Sequence, residues 1–250
     1  GKAITPATDF LFDVRPSDTA VKASLEDVEY FHSYVAKLLY LGKRVRPEIL
    51  TAVSFLTTRI NPCDNDDMNK LARVLSYLAT CPERGITLCI GDSIPSVSAQ
   101  IDAAYGVHMD GKSHTGCTIT IGDRGPCYFR SAKQRIVTKS STEAELVALS
   151  DSANVPIHIN RFLRAQGYDS PPAILYQDNK SAMALIANGR STSDLTRHIL
   201  LRHFCVTERA KINEVKIVHL PSPKMSANLL SKAVQGKQFL SERDGVTGWK

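Results

Sequence analysis

Three acidic side chains in this sequence of 250 residues have the types and order that phosphodiester hydrolysis requires. Asp102 lies in SVSAQIDAAYGVH, whose alternating pattern predicts a strand. The string SSTEAELVALSDSA, from Ser140 to Ala153, predicts a helix start and offers Glu143 and Glu145. Asp178 closes a short apolar strand, ILYQDN. Two-metal hydrolysis needs carboxylate oxygens converging on ions about 4 Å apart, one activating water and one stabilising the leaving oxygen. Acids on strand, helix and strand, in that order, are the skeleton of such a site.

Each acid also has a plainer reading. Asp102 shares the polar face of its strand with Ser98 and Gln100, where a buried carboxylate is costly without a cation. Asp178 fits the N-cap of a helix from Lys180, a role Asn179 could fill instead. Ser140 with Glu143, and Thr142 with Glu145, each fit a capping box. Helical periodicity places Glu145 on one face with Leu149 and Ser152, so it leans inward more than Glu143. The acidic run DNDD, from Asp64 to Asp67, reads as a helix start, where negative charge suits the dipole.

The elements that must position these acids fall into two patterns. Residues 1–24 read as an extended arm, packed locally through Phe10, Leu11 and Phe12 or disordered. Over 25–85 helical spacing predicts three helices: Leu25 to Leu41, stopped by Gly42; a second opened by Pro47; and a third from about Asp64 to Thr80. Pro82 and Gly85 mark a boundary, after which the period changes to that of strands. Strands are expected at Thr87–Ile90, around Asp102, at Thr115–Ile121 and at Cys127–Arg130, the last two joined by GDRGP. A helix from about Thr142 to Gln166, with Pro156 inside it, a strand at Ile174–Gln177 and a helix at Lys180–Asn188 follow. Helix over 196–212, a strand at Val215–Leu220 and a last helix near Ser226 complete a mixed α/β sheet over 86–250.

Composition is that of an ordinary globular domain, with 43% hydrophobic and 22% charged residues. No apolar run reaches membrane-spanning length, and the first residues lack a signal-peptide core. The initial Gly suggests a fragment or a processed product. Six cysteines without paired CxxC spacing argue against a zinc cluster, and a disulfide framework is not expected at this size. A reducing compartment, cytoplasmic or nuclear, is the default. Residues 1–85 hold 11 basic and 11 acidic side chains, whereas 86–250 hold 20 and 14, so the second half carries the whole net charge of +6. That imbalance points to a polyanionic partner.

Motifs spread along the chain carry a resemblance. SSTEAELVALSDSA, then YQDNKSAMAL, then TRHILLRHFCVTE resemble the ribonuclease H domain of copia-type LTR retrotransposon Pol polyproteins. FHSYVAKLLYLGKRVRPEILTAVSFLTTRI is similar to the thumb and connection segment that follows the polymerase palm there, and GKQFLSERDGVTGW to the end of those proteins. The resemblance implies a ribonuclease H-like α/β fold, a mixed sheet flanked by helices and preceded by a small three-helix unit. It implies that Asp102, Glu145 and Asp178 hold Mg2+ or Mn2+ and are catalytic. The family carries a fourth Asp before a Leu-Thr-Lys run. This chain reads SANLLSK, so Asn228 stands in that catalytic position without its charge. The second metal position should be the one weakened.

The function this implies is cleavage of the RNA strand of RNA–DNA hybrids, with the polymerase part of a reverse transcriptase as a candidate partner. Arg124, Arg130, Lys133, Arg135 and Lys139 are the expected phosphate contacts. Recognition would follow hybrid shape and 2′-hydroxyls. No Tyr-x-Asp-Asp motif is present, which excludes a polymerase, and nothing matches an integrase-type late Glu or zinc module. The alternative is a domesticated or decayed copy that binds nucleic acid or protein without cleaving. Asn228 and Leu200, where family members carry Asp, favour it; His198 and His203 read as packing or surface residues.

Overall fold

The computed structural model describes residues 2–16, 19–91, 95–188 and 205–249. Five strands form one mixed sheet: β1 Val97–Ala104, β2 Lys112–Ile121, β3 Pro126–Val137, β4 Ala173–Gln177 and β5 Val215–His219. Their order across the sheet is β3-β2-β1-β4-β5. β1 to β3 form an antiparallel meander, and β4 and β5 add in parallel on the other side of β1. The turn between β2 and β3 bends at Gly122 and Gly125, both at positive φ, a conformation glycine adopts without steric cost.

The alternation along β1 divides its side chains between two layers. Val97, Ala99, Ile101 and Ala103 enter a core with Ala144, Leu146, Ala148, Leu149, Ala153 and Ile157 of α4 (Ser141–Ala165). α5 (Lys180–Asn188) and α6 (residues 205–211) cover the parallel side of that face, through Ala182, Ile186 and Val206. On the other face Gln100 accepts a hydrogen bond from the Ser226 N–H, 2.7 Å away. Here lies α7 (Asn228–Ser231), one turn long, seated against β2. Gly116 permits that seat: a Cβ there would stand 2.5 Å from the Ala227 carbonyl oxygen and 2.8 Å from Ser231 N.

Beyond α7 lie the helices of the first part of the chain: α1 (Leu25–Arg44), a 3-10 turn at Pro47–Ile49, α2 (Leu50–Thr57) and α3 (Asn65–Thr80). Phe31, Val35, Val53, Phe55, Leu71 and Tyr77 make their core, and α8 (Gly236–Thr247) contributes Phe239 and Val246 to it. Asp64 does cap α3: its side chain accepts the Asp66 and Asp67 N–H groups, while Asp67 accepts the Asp64 N–H. The described part of the arm packs with Leu11 buried and Phe12 wedged edge-on against Phe55 and His108. Phe10, expected to pack, is exposed. No helix among the described residues is long and apolar enough to cross a membrane.

Three local expectations are corrected. Gly42 does not stop α1 but lies inside it, buried, where a Cβ would stand 2.8 Å from Leu50 Cδ2; it is a contact glycine between α1 and α2. Thr87–Ile90 is not a strand: only an isolated bridge joins Cys89 to Arg124. The helix expected near Ser226 is divided into the short α7 and, after a break, α8. His198, Leu200, His203 and the first half of the helix expected over 196–212 lie outside the described residues.

Candidate active site

The sheet's change of direction builds the site. β4 runs parallel to β1, with Gln100 opposite Tyr176, so Asp102 and Asp178 reach the same level at the strands' carboxyl ends. α4 begins beside this level and turns Glu145 toward it. One oxygen from each of Asp102, Glu145 and Asp178 lies within 4.8 Å of the others. Asp102 and Glu145 are buried, Asp178 half-buried.

The two candidate helix acids have different roles. Glu143 belongs to the helix start: Ser140 Oγ accepts the Glu143 N–H, and Glu143 accepts the Lys139 N–H at 2.7 Å. Glu145, two residues on, points inward. It accepts the Ala103 N–H at 3.2 Å and the Gln177 side-chain amide at 3.1 Å. Burial, then the charges of Asp102 and Asp178, push its pKa well above the ordinary carboxylate value. Like charges held this close favour a proton or a cation between them. Hard oxygen donors suit Mg2+, Mn2+ or Ca2+, so the donor set fits a divalent ion.

Gln177 ties the group together. It is fully buried, and its carbonyl oxygen accepts the Asp178 and Asn179 N–H groups at 2.8 and 3.0 Å while its amide holds Glu145. Asn179 then takes the capping role, accepting the Ala182 N–H, which leaves the Asp178 carboxylate free of that duty.

Asn228 stands behind Asp102. Its amide nitrogen donates to the Ser222 carbonyl at 2.9 Å and to Glu242 at 3.3 Å, so its oxygen faces Lys232 Nζ at 3.2 Å. Lys232 also reaches both oxygens of Asp102, at 3.1 and 3.3 Å, and Ser231 donates its hydroxyl to Asp102. Partial burial opposes the Lys232 charge, but Asp102, with Glu145 and Asp178 behind it, raises its pKa. Glu242 is buried, and its second oxygen lacks a hydrogen-bond partner. Burial raises its pKa, against the hydrogen bonds from Gln238 and Asn228.

Gln177, Ser231, Lys232 and Glu242 did not stand out in the sequence. The Lys at the end of the family's Leu-Thr-Lys run was the one available signal. Of the basic residues, Arg135 and Lys139 are exposed. Lys133 pairs with Asp110 at 2.8 Å, Arg130 donates to the Asp151 carbonyl at 2.8 Å, and Arg124 is half-buried with its Nε enclosed.

No family model matches the chain. It is 28% identical over 228 residues to the retrovirus-related Pol polyprotein from transposon TNT 1-94 of Nicotiana tabacum, a match covering 90% of this chain and 17% of the relative. It is 30% identical over 225 residues to that from transposon RE2 of Arabidopsis thaliana, covering 89% and 15%. Among solved structures, a ribonuclease H1 in complex with an RNA/DNA hybrid covers 52% of this chain and 88% of its own, at 13% identity and a TM-score of 0.38. The chain thus spans about a sixth of the length of the curated relatives it matches. Across nine-tenths of its own length, it resembles the Pol polyproteins of copia-type retrotransposons.

Proposed function

We propose that this chain is a metal-dependent ribonuclease H of a retrotransposon reverse transcriptase, cleaving the RNA strand of RNA–DNA hybrids. The observation that carries this reading is the convergence of Asp102, Glu145 and Asp178 at the carboxyl ends of two parallel strands. Mg2+ or Mn2+ held by these three would supply charge for the phosphate and a more acidic water. The protein's own part is positioning. The Ala103 N–H and Gln177 fix Glu145, Gln177 fixes the backbone that presents Asp178, and Ser231 orients Asp102. Preset carboxylates avoid reorganisation when charge develops on the phosphate.

Phosphate contacts fall first to the exposed Arg135 and Lys139; Arg124, Arg130 and Lys133 would have to share or leave their present surroundings. A polymerase partner and a cytoplasmic or nuclear location belong to the same reading. One observation favours the second reading, a binding module without cleavage: Lys232 already pairs with Asp102. The test incubates a strand-labelled RNA–DNA hybrid with the chain in Mg2+, in Mn2+ and in a chelator. Metal-dependent fragments from the RNA strand alone support the nuclease. An intact hybrid that is nevertheless bound leaves the binding module.

A further inference from the structure

The resemblance implies a fourth acid at position 228, whose absence should weaken a second metal position. In this chain a side chain already occupies the edge between Asp102 and Asn228. Lys232 Nζ lies 3.1 and 3.3 Å from the two Asp102 oxygens and 3.2 Å from the Asn228 oxygen. Asn228 is the position whose missing charge should weaken a second ion, and Asp102 is the acid it meets through this ammonium.

The backbone that carries Lys232 is held in place, and its side chain, 43% exposed, reaches in from the edge of the site. α7 sits directly on β2 because Gly116 has no side chain to hold it off. Lys232 follows as the C-cap of α7, its N–H donating to the Asn228 carbonyl at 2.8 Å. Asn228 is fixed in turn by donating to Ser222 and Glu242, which leaves its oxygen for the ammonium. An aspartate in that orientation would turn a carboxylate oxygen toward Glu242; the amide does not. Asn228 and Lys232 therefore belong to one arrangement.

The charges agree with it. Asp102, Glu145 and Asp178, ionised, carry three negative charges, and Lys232 offsets one. The remainder matches a single divalent ion. A second divalent ion at the Asp102 edge would have to compete with an ammonium that already holds the same carboxylate at 3.1 Å, and the two like charges would repel.

We propose that Lys232 is the resident cation of this site: its ammonium takes the place of the second metal, and the chain works with one divalent ion. This rests on the metal-dependent reading above. The chemical role of the ammonium is electrostatic. It stays protonated, holds Asp102, and presents positive charge toward the phosphate, with no bond made or broken at nitrogen. Its substrate class is therefore a phosphodiester whose charge is met by one metal and one amine.

The test counts Mn2+ by calorimetric titration of the chain alone and with the cut RNA–DNA product bound, which keeps its 2′-hydroxyls. The parent should bind one Mn2+. Lys232→Met should bind two, or bind the first at least tenfold more tightly, and Lys232→Arg should stay at one. Paramagnetic resonance distinguishes the cases independently, because two neighbouring Mn2+ ions couple. Two coupled ions in the parent overturn the proposal, and that result needs no variant to fold. A folded Lys232→Met unchanged in both count and affinity overturns it also. No Mn2+ bound by parent or variant removes the metal reading of the three acids itself, a failure distinct from that of Lys232.

Discussion

Asn228→Asp adds a negative charge beside Asp102 and Lys232, but the structure assigns it a cost. The amide nitrogen now donates to the Ser222 carbonyl at 2.9 Å and to Glu242 at 3.3 Å. A carboxylate in the same orientation donates to neither. Ser222 is exposed, so its carbonyl can turn to water, and the Glu242 oxygen keeps the Gln238 amide at 2.8 Å, so the cost is mainly one of charge. Two carboxylates 3.3 Å apart repel by about 5 kcal/mol at an effective dielectric of 20. Lys232, 3.2 Å from the other oxygen, returns much of that. The pair can instead share a proton, which at pH 7.5 limits the loss to about 4 kcal/mol for a carboxyl near its ordinary pKa. Either route gives a net loss of about 2–4 kcal/mol in a chelator. Urea unfolding of the parent, Asn228→Asp, and Asn228→Asp with Glu242→Gln measures it. The double variant should recover most of the loss, because an amide at position 242 can donate where the carboxylate could only accept. Equal stability of parent and single variant in chelator would refute the account of how position 228 is held.

Three further outcomes follow from the same contacts. Gln177→Leu removes the amide that holds Glu145 and the oxygen that holds the Asp178 backbone, so Mn2+ affinity should fall about 10- to 100-fold in titration calorimetry. Burial and then nearby Lys133 lower the His108 pKa to about 4, and burial and then His108 lower that of His114 to about 3. Both are neutral in the fold above those values. Between pH 6.5 and these values the unfolded chain takes up protons that the folded chain refuses, so stability should drop about 1.4 kcal/mol per pH unit per histidine. Urea unfolding at pH 7 and pH 5 checks this, and His108→Gln should reduce the slope; the same slope in both proteins contradicts it. Gly116→Ala drives a Cβ into the α7 backbone and should cost about 1–3 kcal/mol in the same assay, with no loss expected only if α7 is not seated on β2.

The acids of the site were legible because each closes a strong local pattern. Asp102 sits on the polar side of an alternating strand, and Asp178 ends an apolar run before a helix whose bounds, Lys180–Asn188, the spacing predicted. Glu143 and Glu145 both fit a capping box; helical periodicity leans to Glu145 and the resemblance implies it. The structure separates them by what each accepts: an N–H before the helix for Glu143, an N–H of β1 for Glu145. Gly42 misled because a glycine after an apolar periodic run signals a helix end, and only the approach of Leu50 reveals a packing role. Thr87–Ile90 has the composition of a strand but only a single bridge to pair with. Gln177 was not legible, and Lys232 only as the Lys that ends SANLLSK. Their importance lies in distances to side chains 32 and 130 residues away in sequence, which no local period encodes.

If the three converged carboxylates make this chain a nuclease for RNA in hybrids, removing one of them must abolish cleavage. The most direct measurement compares the parent with Asp102→Asn, both shown to be folded, on a strand-labelled RNA–DNA hybrid in Mn2+. The expected result is RNA-strand cleavage by the parent, its loss by at least about 100-fold in the variant, and an intact DNA strand in both. Equal cleavage by the two proteins, or none by a folded and metal-loaded parent, would contradict the nuclease reading.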